Sequence, residues 1–132
     1  MRFLKADNPN VALYLLPWFV PTNQNPLDML TDLHERLTNK PEDTFCLIAL
    51  KGRIVQAVLI AYRRKKDVFI WQAHARKGFK YSKMIFNGLI YWARGKGLRR
   101  IKANVSERRN REMYTRRYGF RCKRNKELYL NV

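Results

Sequence analysis

The sequence predicts an α/β fold, with a mixed, largely antiparallel sheet and flanking helices in a single domain. Two observations predict it: apolar residues recur at helical spacing in separate segments, and β-branched runs with strand character lie between and after those segments. A chain of 132 residues can bury roughly two-thirds of its unfolded surface around one core. We therefore expect one domain over residues 1–132, with a helical part at 1–43 and a second half at 44–132.

The helical part is predicted to begin with a short strand at Arg2–Ala6. Asp7 or Asn8 can then cap a helix that carries Pro9 in its first turn, where the missing backbone N–H costs nothing. This helix should end by Leu16, because the residue before a proline is pushed out of the helical region.

A second helix, with one apolar face, is predicted after a loop at residues 21–26. Its leucines recur at helical spacing, and its acidic residues lie on the other face. The helix is expected to end at residues 39–41, which read Asn-Lys-Pro. The leucines of the apolar face are Leu27, Leu30, Leu33 and Leu37.

From residue 44 the pattern changes to that of strands. Thr44–Leu50 and Ile54–Tyr62 are β-branched and apolar, and the intervening Lys51-Gly52-Arg53 has hairpin length with glycine at the tight point. A third strand, Val68–Ala75, follows a basic turn at residues 63–67. Strands connected in this way predict an antiparallel meander.

The remaining elements alternate between helix and strand. A buried stripe over residues 84–93 predicts a helix that Gly95 and Gly97 terminate. Ile101–Val105 alternates apolar with polar residues, as expected of a strand with one exposed face. A last helix is predicted over Asn110–Tyr118, and strand material over Phe120–Leu130.

Charge is distributed very unevenly along the chain. Residues 1–44 hold 4 Lys/Arg and 6 Asp/Glu, whereas residues 45–132 hold 24 Lys/Arg and 4 Asp/Glu, so the second part alone carries the excess behind the net charge of +18. A field of this sign concentrates polyanions at the surface. We expect a polyanionic partner, nucleic acid first, with an acidic protein, an anionic membrane or a phosphorylated small molecule as alternatives.

Neither a metal site nor a disulfide is predicted, because Cys46 and Cys122 lie far apart and have no CxxC or Cys/His spacing. The apolar run at residues 11–20 is far shorter than the ~20 residues that span a bilayer, and it lacks the small-residue cleavage site of a signal peptide. We expect no transmembrane segment and an intracellular, cytoplasmic location, or association with a virion if the chain is encoded by a phage.

Two runs in the second half resemble the GNAT superfamily of acyl-CoA N-acyltransferases. Residues 88–101, which include Trp92-Ala93 and the glycines that follow, resemble its central helix, glycine-ended cap and next strand. Residues 110–120, which end in Tyr118-Gly119-Phe120, resemble its closing helix and Gly-Phe turn. The order of elements over residues 45–132 agrees. The resemblance implies a GNAT-like fold, an acyl-CoA-binding half at 44–132, acetyl-CoA as co-substrate and an amine as acceptor.

The resemblance also indicates where the pyrophosphate of acetyl-CoA would bind. The family uses an Arg/Gln-x-x-Gly-x-Gly/Ala loop, whose glycines let backbone N–H groups approach the phosphates at a helix N-terminus. Registering on Trp92-Ala93 places Lys77 at the basic position, Lys80 at the first glycine and Ser82 at the second. Side chains would then hold the phosphate; the alternative is a basic loop on a solvated helix end. The predicted cofactor-binding residues are Arg76, Lys77, Gly78, Lys80, Ser82 and Lys83.

The catalytic residues stay unassigned. The family's general acid is a Tyr four residues before the glycine of the Gly-Phe turn, and this position holds Thr115, a far weaker acid. Tyr114 lies one residue earlier, rotated by ~100° on the helix, and is expected to pack in the core. Tyr114 and His74 are the candidates that the sequence offers; His74 has a suitable ordinary pKa, although a lone His at a strand end is usually structural.

The basic second half supports an alternative function. Cations interleaved with aromatic residues are typical of a nucleic-acid-binding face. The alternative is therefore a catalytically inactive GNAT-like protein that binds nucleic acid or an assembly partner; GNAT-like chains of this size occur among tailed phages as virion-associated proteins. The predicted nucleic-acid-binding residues are Arg108, Arg109, Arg111, Arg116, Arg117, Arg121, Lys123 and Arg124.

Overall fold

Seven strands form one mixed sheet in a computed structural model that describes residues 1–15, 25–105 and 107–132. The strand order in the sheet is β1-β2-β3-β4-β5-β7-β6, and the predicted α/β fold class is confirmed. The strands are β1 (Arg2–Lys5), β2 (Thr44–Lys51), β3 (Ile54–Arg64), β4 (Asp67–Ala75), β5 (Arg100–Asn104), β6 (Arg121–Cys122) and β7 (Glu127–Asn131); the α-helices are α1 (Pro26–Asn39), α2 (Ser82–Gly95) and α3 (Arg108–Tyr118).

The described residues group into two compact units, Met1–Ile60 with Gln72–Lys80 and Ala61–Trp71 with Tyr81–Val132. In the first unit, β1 pairs antiparallel with β2, and α1 packs against a 3₁₀ helix at Pro9–Leu15. The Asn25 side chain caps α1 by accepting a hydrogen bond from the Leu27 backbone N–H at 2.9 Å. The predicted stripe of α1 is largely confirmed: Leu30, Leu33 and Leu37 are buried together with Met29, whereas Leu27 is 65% exposed.

The first predicted helix differs from the expectation, because it is a 3₁₀ helix. Asn8 provides its cap, with Oδ1 accepting from the Asn10 N–H at 3.0 Å. Over two turns, a sequence pattern does not distinguish three residues per turn from 3.6. The predicted stop at Leu16 and residues 21–24 of the predicted loop lie outside the described residues.

Consecutive strands in the middle of the sheet are joined by two-residue turns, which only antiparallel neighbours allow. Gly52 and Arg53 connect β2 to β3, and Lys65 and Lys66 connect β3 to β4. Gly52 and Lys65 both have positive φ, +62° and +58°. The predicted meander is therefore present, with each strand boundary within two residues of its expected position.

The second unit contains the parallel pair of the sheet. β4 pairs parallel with β5 from Val68↔Ile101 to Ile70↔Ala103, and α2 is the crossover helix that a parallel connection requires. The helix α2 buries Ile85, Phe86, Leu89, Trp92 and Ala93, whereas Met84, which the predicted stripe also included, is 49% exposed. Gly97, with φ +72°, reverses the chain after this helix.

The end of the chain is a hairpin, where the sequence predicted a single stretch of strand. β6 pairs antiparallel with β7, and β7 pairs antiparallel with β5, so β7 lies between them. Lys126 turns this hairpin at φ +67°. The hairpin brings residues 122–126 close to α3, which decides the shape of the surface described below.

Among the residues that the structure describes, no helix has the length and apolarity needed to cross a bilayer. Within the same residues, no three His, Cys, Asp or Glu side chains are grouped so that they could hold a metal ion. Cys46 is buried and Cys122 is exposed, and both are free thiols.

Candidate functional site

The loop predicted to bind phosphate begins with a turn that is tied to β3. The Arg76 backbone N–H donates to the Gln56 carbonyl at 2.8 Å, and the Arg76 Nε–H donates to the Val55 carbonyl at 2.9 Å. The Phe79 N–H then donates to the Arg76 carbonyl at 3.1 Å, and Gly78 adopts φ +86° inside this turn. Part of the Arg76 guanidinium therefore has a structural role, and Gly78 serves the turn itself.

The remaining predicted loop cations project into solvent. Lys77 and Lys80 are exposed in the first unit, and Lys83 is exposed in the second. Because the cation lies at the end of a flexible stem, each of these side chains can meet a phosphate from several directions. The predicted side-chain cradle for phosphate stays a prediction.

The N-terminus of α2 is a second feature of this region. Tyr81 is its N-cap residue, its side chain does not cap the helix, and the first turn contains no acidic residue. The Ser82 position, where the family has a glycine, is the first residue of the helix and is half-buried. The first amide groups of a 14-residue helix, together with the Lys83 cation, make a site that favours an anion.

Tyr114 packs in an aromatic cluster in the second unit, as predicted. Its ring lies edge-on to Phe120 at 5.3 Å and to Tyr118 at 5.7 Å, and Tyr118 stacks on Phe86 at 4.4 Å. Burial first, and then the neighbouring Tyr118, raises the pKa of Tyr114 to about 12. A buried phenol with a raised pKa is a poorer acid than free tyrosine, so the structure gives Tyr114 a packing role.

Thr115, at the family's acid position, is exposed on α3. Its hydroxyl donates to the Arg111 carbonyl of the preceding turn at 3.0 Å. This hydrogen bond commits the hydroxyl proton to the helix backbone, which is a common arrangement for Thr within helices. Thr115 therefore contributes a methyl group and a hydroxyl oxygen to the surface and holds no proton ready for a leaving group.

His74, the other catalytic candidate, lies near the end of β4 in the first unit. Its Nε2 is 2.6 Å from the Gln72 Oε1, and burial lowers the pKa of His74 below its usual range. A lowered pKa keeps the imidazole neutral near pH 7, the form a base needs. The Gln72 contact occupies one ring nitrogen and fits the structural role that the sequence favoured.

A groove in the second unit collects part of the predicted nucleic-acid surface. It has a volume of about 560 Å³ and lies between α3 and the β6–β7 hairpin. Its lining residues are Arg108, Arg111, Glu112, Thr115, Arg116, Cys122 and Lys126. Three of the eight predicted residues line it; the other five, Arg109, Arg117, Arg121, Lys123 and Arg124, are exposed elsewhere on α3 and the hairpin.

Four groove residues were missing from the predicted nucleic-acid surface, and two of them, Cys122 and Lys126, come from outside α3. Both lie in the hairpin that the sequence presented as continuous strand, and the turn at Lys126 is what places them beside α3. A local signal existed: Asn125 precedes Lys126, and its Oδ1 accepts from the Glu127 N–H at 3.1 Å, which is the behaviour of Asn in turns.

Two acidic residues, the N-cap Glu107 and Glu112 within α3, have local hydrogen-bond partners. The Glu112 Oε1 accepts from the Arg108 Nε–H at 3.1 Å, and the Glu107 Oε2 accepts from the Asn110 amide at 3.4 Å. The i, i+4 spacing explains the Arg108–Glu112 pair.

The fold is similar to those of solved GNAT acetyltransferases. An acetyltransferase of the GNAT family from Staphylococcus aureus Mu50 superposes with a TM-score of 0.78 at 13% identity, covering 98% of both chains. A GNAT-family acetyltransferase from Brucella melitensis, in complex with acetyl-CoA, gives 0.70 at 18% identity, covering 99% of this chain and 87% of its own. The PaiA N-acetyltransferase of Thermoplasma acidophilum, in complex with coenzyme A, gives 0.62 at 10% identity, covering 99% and 98%.

No protein-family model and no curated protein matches this sequence. Sequence identities of 10 to 18% reflect shared architecture, since many functions occupy one fold. TM-scores of 0.62 to 0.78 over 98–99% of this chain show a shared fold. The chain therefore has the GNAT fold.

Proposed function

We propose that this chain is a GNAT-superfamily N-acyltransferase that transfers an acetyl group from acetyl-CoA to an amine. The observation that carries the proposal is the similarity to GNAT acetyltransferases over nearly the full length of both chains. Two of these similar structures contain coenzyme A or acetyl-CoA. Fold alone does not determine function, so the residues that would meet the cofactor must also fit it.

The N-terminus of α2 fits the diphosphate of acetyl-CoA. The side chain of the N-cap residue Tyr81 does not cap the helix, and no acid occupies the first turn, so backbone N–H groups and the helix dipole favour an anion there. Lys83 adds an exposed cation on the same turn. The sequence prediction adds Lys77 and Lys80 from the preceding loop, as side-chain ligands that replace the backbone contacts of a glycine-rich loop.

The reaction requires three changes at the acetyl carbon. The amine nitrogen attacks the thioester carbonyl, the C–S bond breaks, and the thiolate of coenzyme A leaves. The amine nitrogen loses one proton, and the thiolate takes up one. Because thiols have pKa values of about 8.5, a thiolate can leave near neutral pH with little help from an acid.

The residues at the family's acid position provide little acid catalysis. The Thr115 hydroxyl is bonded to the Arg111 carbonyl, and burial raises the pKa of Tyr114 to about 12. The rate would then depend on holding the amine beside the thioester, which can lower a barrier by several kcal/mol without proton transfer. The proposed enzyme works by positioning and gives the released thiolate to solvent.

Titration calorimetry with acetyl-CoA tests the binding half of the proposal. We expect saturable 1:1 binding to the wild-type chain. Lys77→Ala with Lys80→Ala should weaken it about tenfold or more, since a charge-assisted hydrogen bond contributes about 1.5–3 kcal/mol. The matched control, Lys51→Ala with Lys66→Ala, removes the same charge from the turns beside β3 and should leave the affinity unchanged.

Two results would count against the proposal. Heats indistinguishable from dilution for the wild-type chain at millimolar acetyl-CoA would remove its basis. Equal loss of affinity in the loop variant and the control would show that the phosphates respond to overall charge and not to the loop.

A further inference from the structure

We propose that the groove between α3 and the β6–β7 hairpin, here called the basic groove, binds the phosphodiester backbone of a double-stranded nucleic acid. It goes beyond acetyl transfer and does not depend on it. The proposal rests on the sign of the lining, the shape of the groove, and the location of the aromatic residues in this half of the chain.

The lining of the basic groove is strongly cationic. It contains Arg108, Arg111, Arg116 and Lys126, against the single acid Glu112, whose carboxylate is paired with Arg108 at 3.1 Å. Four cations against one paired carboxylate leave a net positive surface. Arginine is also the side chain that best matches phosphate oxygens, because its planar fork donates two parallel hydrogen bonds.

Asp67 and Glu127, two further acids of this half, have partners outside the basic groove's cations. Asp67 lies 3.1 Å from the Lys102 Nζ and 3.6 Å from the Arg100 Nε. Glu127 lies 3.5 Å from the Lys102 Nζ and 3.9 Å from the Lys123 Nζ. These pairs use the carboxylates to hold β4, β5 and β7, so they do little to neutralise the cations of the groove.

The groove continues into a second depression, which makes the basic surface elongated. This neighbour has a volume of about 520 Å³, shares Arg111 and Lys126, and adds the amides of Asn104 and Asn125. The Glu127 carboxylate also lines it, and this carboxylate is paired with Lys102 and Lys123. Arg111 is oriented at the junction by an Nη1–H bond to the Val105 carbonyl at 3.0 Å. A surface of this length suits a chain of phosphates better than a single one.

The length of α3 matches several phosphates of a duplex. Eleven residues extend about 16 Å at 1.5 Å per residue. A duplex carries one phosphate charge per about 1.7 Å of its axis. A stretch of duplex as long as α3 therefore carries roughly ten phosphates, and about half of them lie on the side that faces the helix. Together with the four groove cations, the exposed cations outside the groove can contact a continuous row of phosphates. These outer cations are Arg109, Arg117, Arg121 and Arg124.

The aromatic residues favour a duplex over a single strand. Tyr114 and Phe120 are buried, and Tyr118 stacks on Phe86. None of the residues that line the basic groove has an aromatic ring, so it lacks the stacking platform on which unpaired bases bind. Contacts to the backbone alone provide affinity without sequence preference.

Fluorescence anisotropy with a labelled 20-base-pair DNA duplex, measured over a series of salt concentrations, tests the proposal. Contacts to four phosphates predict that log K falls with log salt at a slope of about −3.6. The groove variant Arg108→Gln, Arg116→Gln, Lys126→Gln should reduce the magnitude of the slope by about 2.7. Arg111 is kept, because its bond to Val105 is structural.

A matched control removes the same charge elsewhere. The control variant changes three exposed residues at the two ends of β3 and is Arg53→Gln, Arg64→Gln, Lys66→Gln. It should change the slope by less than about 1. Duplex RNA and single-stranded DNA of equal length distinguish the sources of the phosphodiester backbone, and polyglutamate provides an acidic protein. We expect both duplexes to bind more tightly than the single strand and than polyglutamate.

A second measurement locates the site on the wild-type chain. Cys122 lines the basic groove and is exposed, whereas Cys46 is fully buried. Saturating duplex should slow the reaction of Cys122 with a thiol reagent at least fivefold. An unchanged rate with duplex bound would place the site elsewhere and overturn the proposal.

The anisotropy measurements can overturn the proposal as well. A salt slope near zero, tighter binding of polyglutamate, or an equal loss of slope in the groove variant and the control would each do so. These measurements contain no acetyl-CoA, so their outcome and that of the acetyl-CoA titration are independent.

Discussion

Replacing Tyr114 with Phe tests the structural reason for excluding this residue from catalysis. In the folded protein burial first, and then the neighbouring Tyr118, raises the pKa of Tyr114 to about 12 from an ordinary value of 10.0. The folded state therefore favours the neutral phenol. This contribution to stability is complete below pH 10 and is lost as the pH rises toward 12, because the unfolded chain ionises first.

The magnitude follows from the two pKa values. Between them, the free energy of unfolding falls by about 1.36 kcal/mol per pH unit. At pH 11.5, wild type should have lost about 2 kcal/mol through Tyr114 alone. The buried Cys46, whose pKa burial raises to about 12, loses stability in the same range, but it is present in both proteins and cancels from their comparison.

Urea unfolding at pH 8 and pH 11.5, followed by tryptophan fluorescence, measures this loss. Each protein is compared with itself at pH 8, so any neutral-pH effect of removing the hydroxyl drops out. Tyr114→Phe should lose about 2 kcal/mol less than wild type on going to pH 11.5. Equal losses in the free energy of unfolding for the two proteins would mean that the phenol is solvated, and Tyr114 would again be a candidate acid.

Three further substitutions in the second unit each test a single residue. Gly119→Ala should lower the free energy of unfolding by about 1–2 kcal/mol, because Gly119 has φ +75° and a left-handed conformation costs other residues about that much. Gly95→Ala, where an added Cβ meets nothing within 4 Å, should raise the free energy of unfolding by up to about 1 kcal/mol. Urea midpoints in the opposite order would contradict both. Thr115→Val should leave the rate of acetyl transfer within about threefold of wild type, because the hydroxyl donates to the Arg111 carbonyl and is a weak acid; a hundredfold loss with an intact fold would show that Thr115 takes part in the chemistry.

Local patterns were sufficient to predict helices α1, α2 and α3, the meander and the burial of Tyr114. The α2 stripe and the glycines after it follow from spacing alone, as does the rotation that turns Tyr114 into the core beside Phe120. Each of these features depends on residues a few positions apart, for which the helical period is a reliable guide.

The candidate site was less predictable, because its parts come together through long-range pairing. Arg76 is bonded to Val55 and Gln56, about twenty residues earlier, and no local signal reveals that contact. Lys126 reaches the basic groove only because β7 lies between β5 and β6. Strand order depends on packing across the whole sheet, so neighbouring residues in the chain do not specify it.

The aromatic residues that lie among these cations in the sequence also show what composition does not predict. By composition, Tyr114, Tyr118 and Phe120 suggested a stacking surface for bases, yet they form the cluster that packs with Phe86. Composition reports which side chains are present, whereas burial decides which of them a ligand can reach. The predicted cations other than the half-buried Arg111 are exposed, and the polyanion hypothesis now rests on these cations and on the groove that they line, without aromatic stacking.

Transfer of an isotopically labelled acetyl group from acetyl-CoA to a panel of primary amines, followed by mass spectrometry, tests the proposed activity most directly. We expect labelled acetyl on an amine nitrogen, release of one coenzyme A thiol per transfer, and saturation with acetyl-CoA. The Lys77→Ala, Lys80→Ala variant should need about tenfold more acetyl-CoA to reach half its maximal rate. Acetyl-CoA that binds to the chain but loses its label to amines no faster than in buffer would contradict the proposed acyltransferase activity.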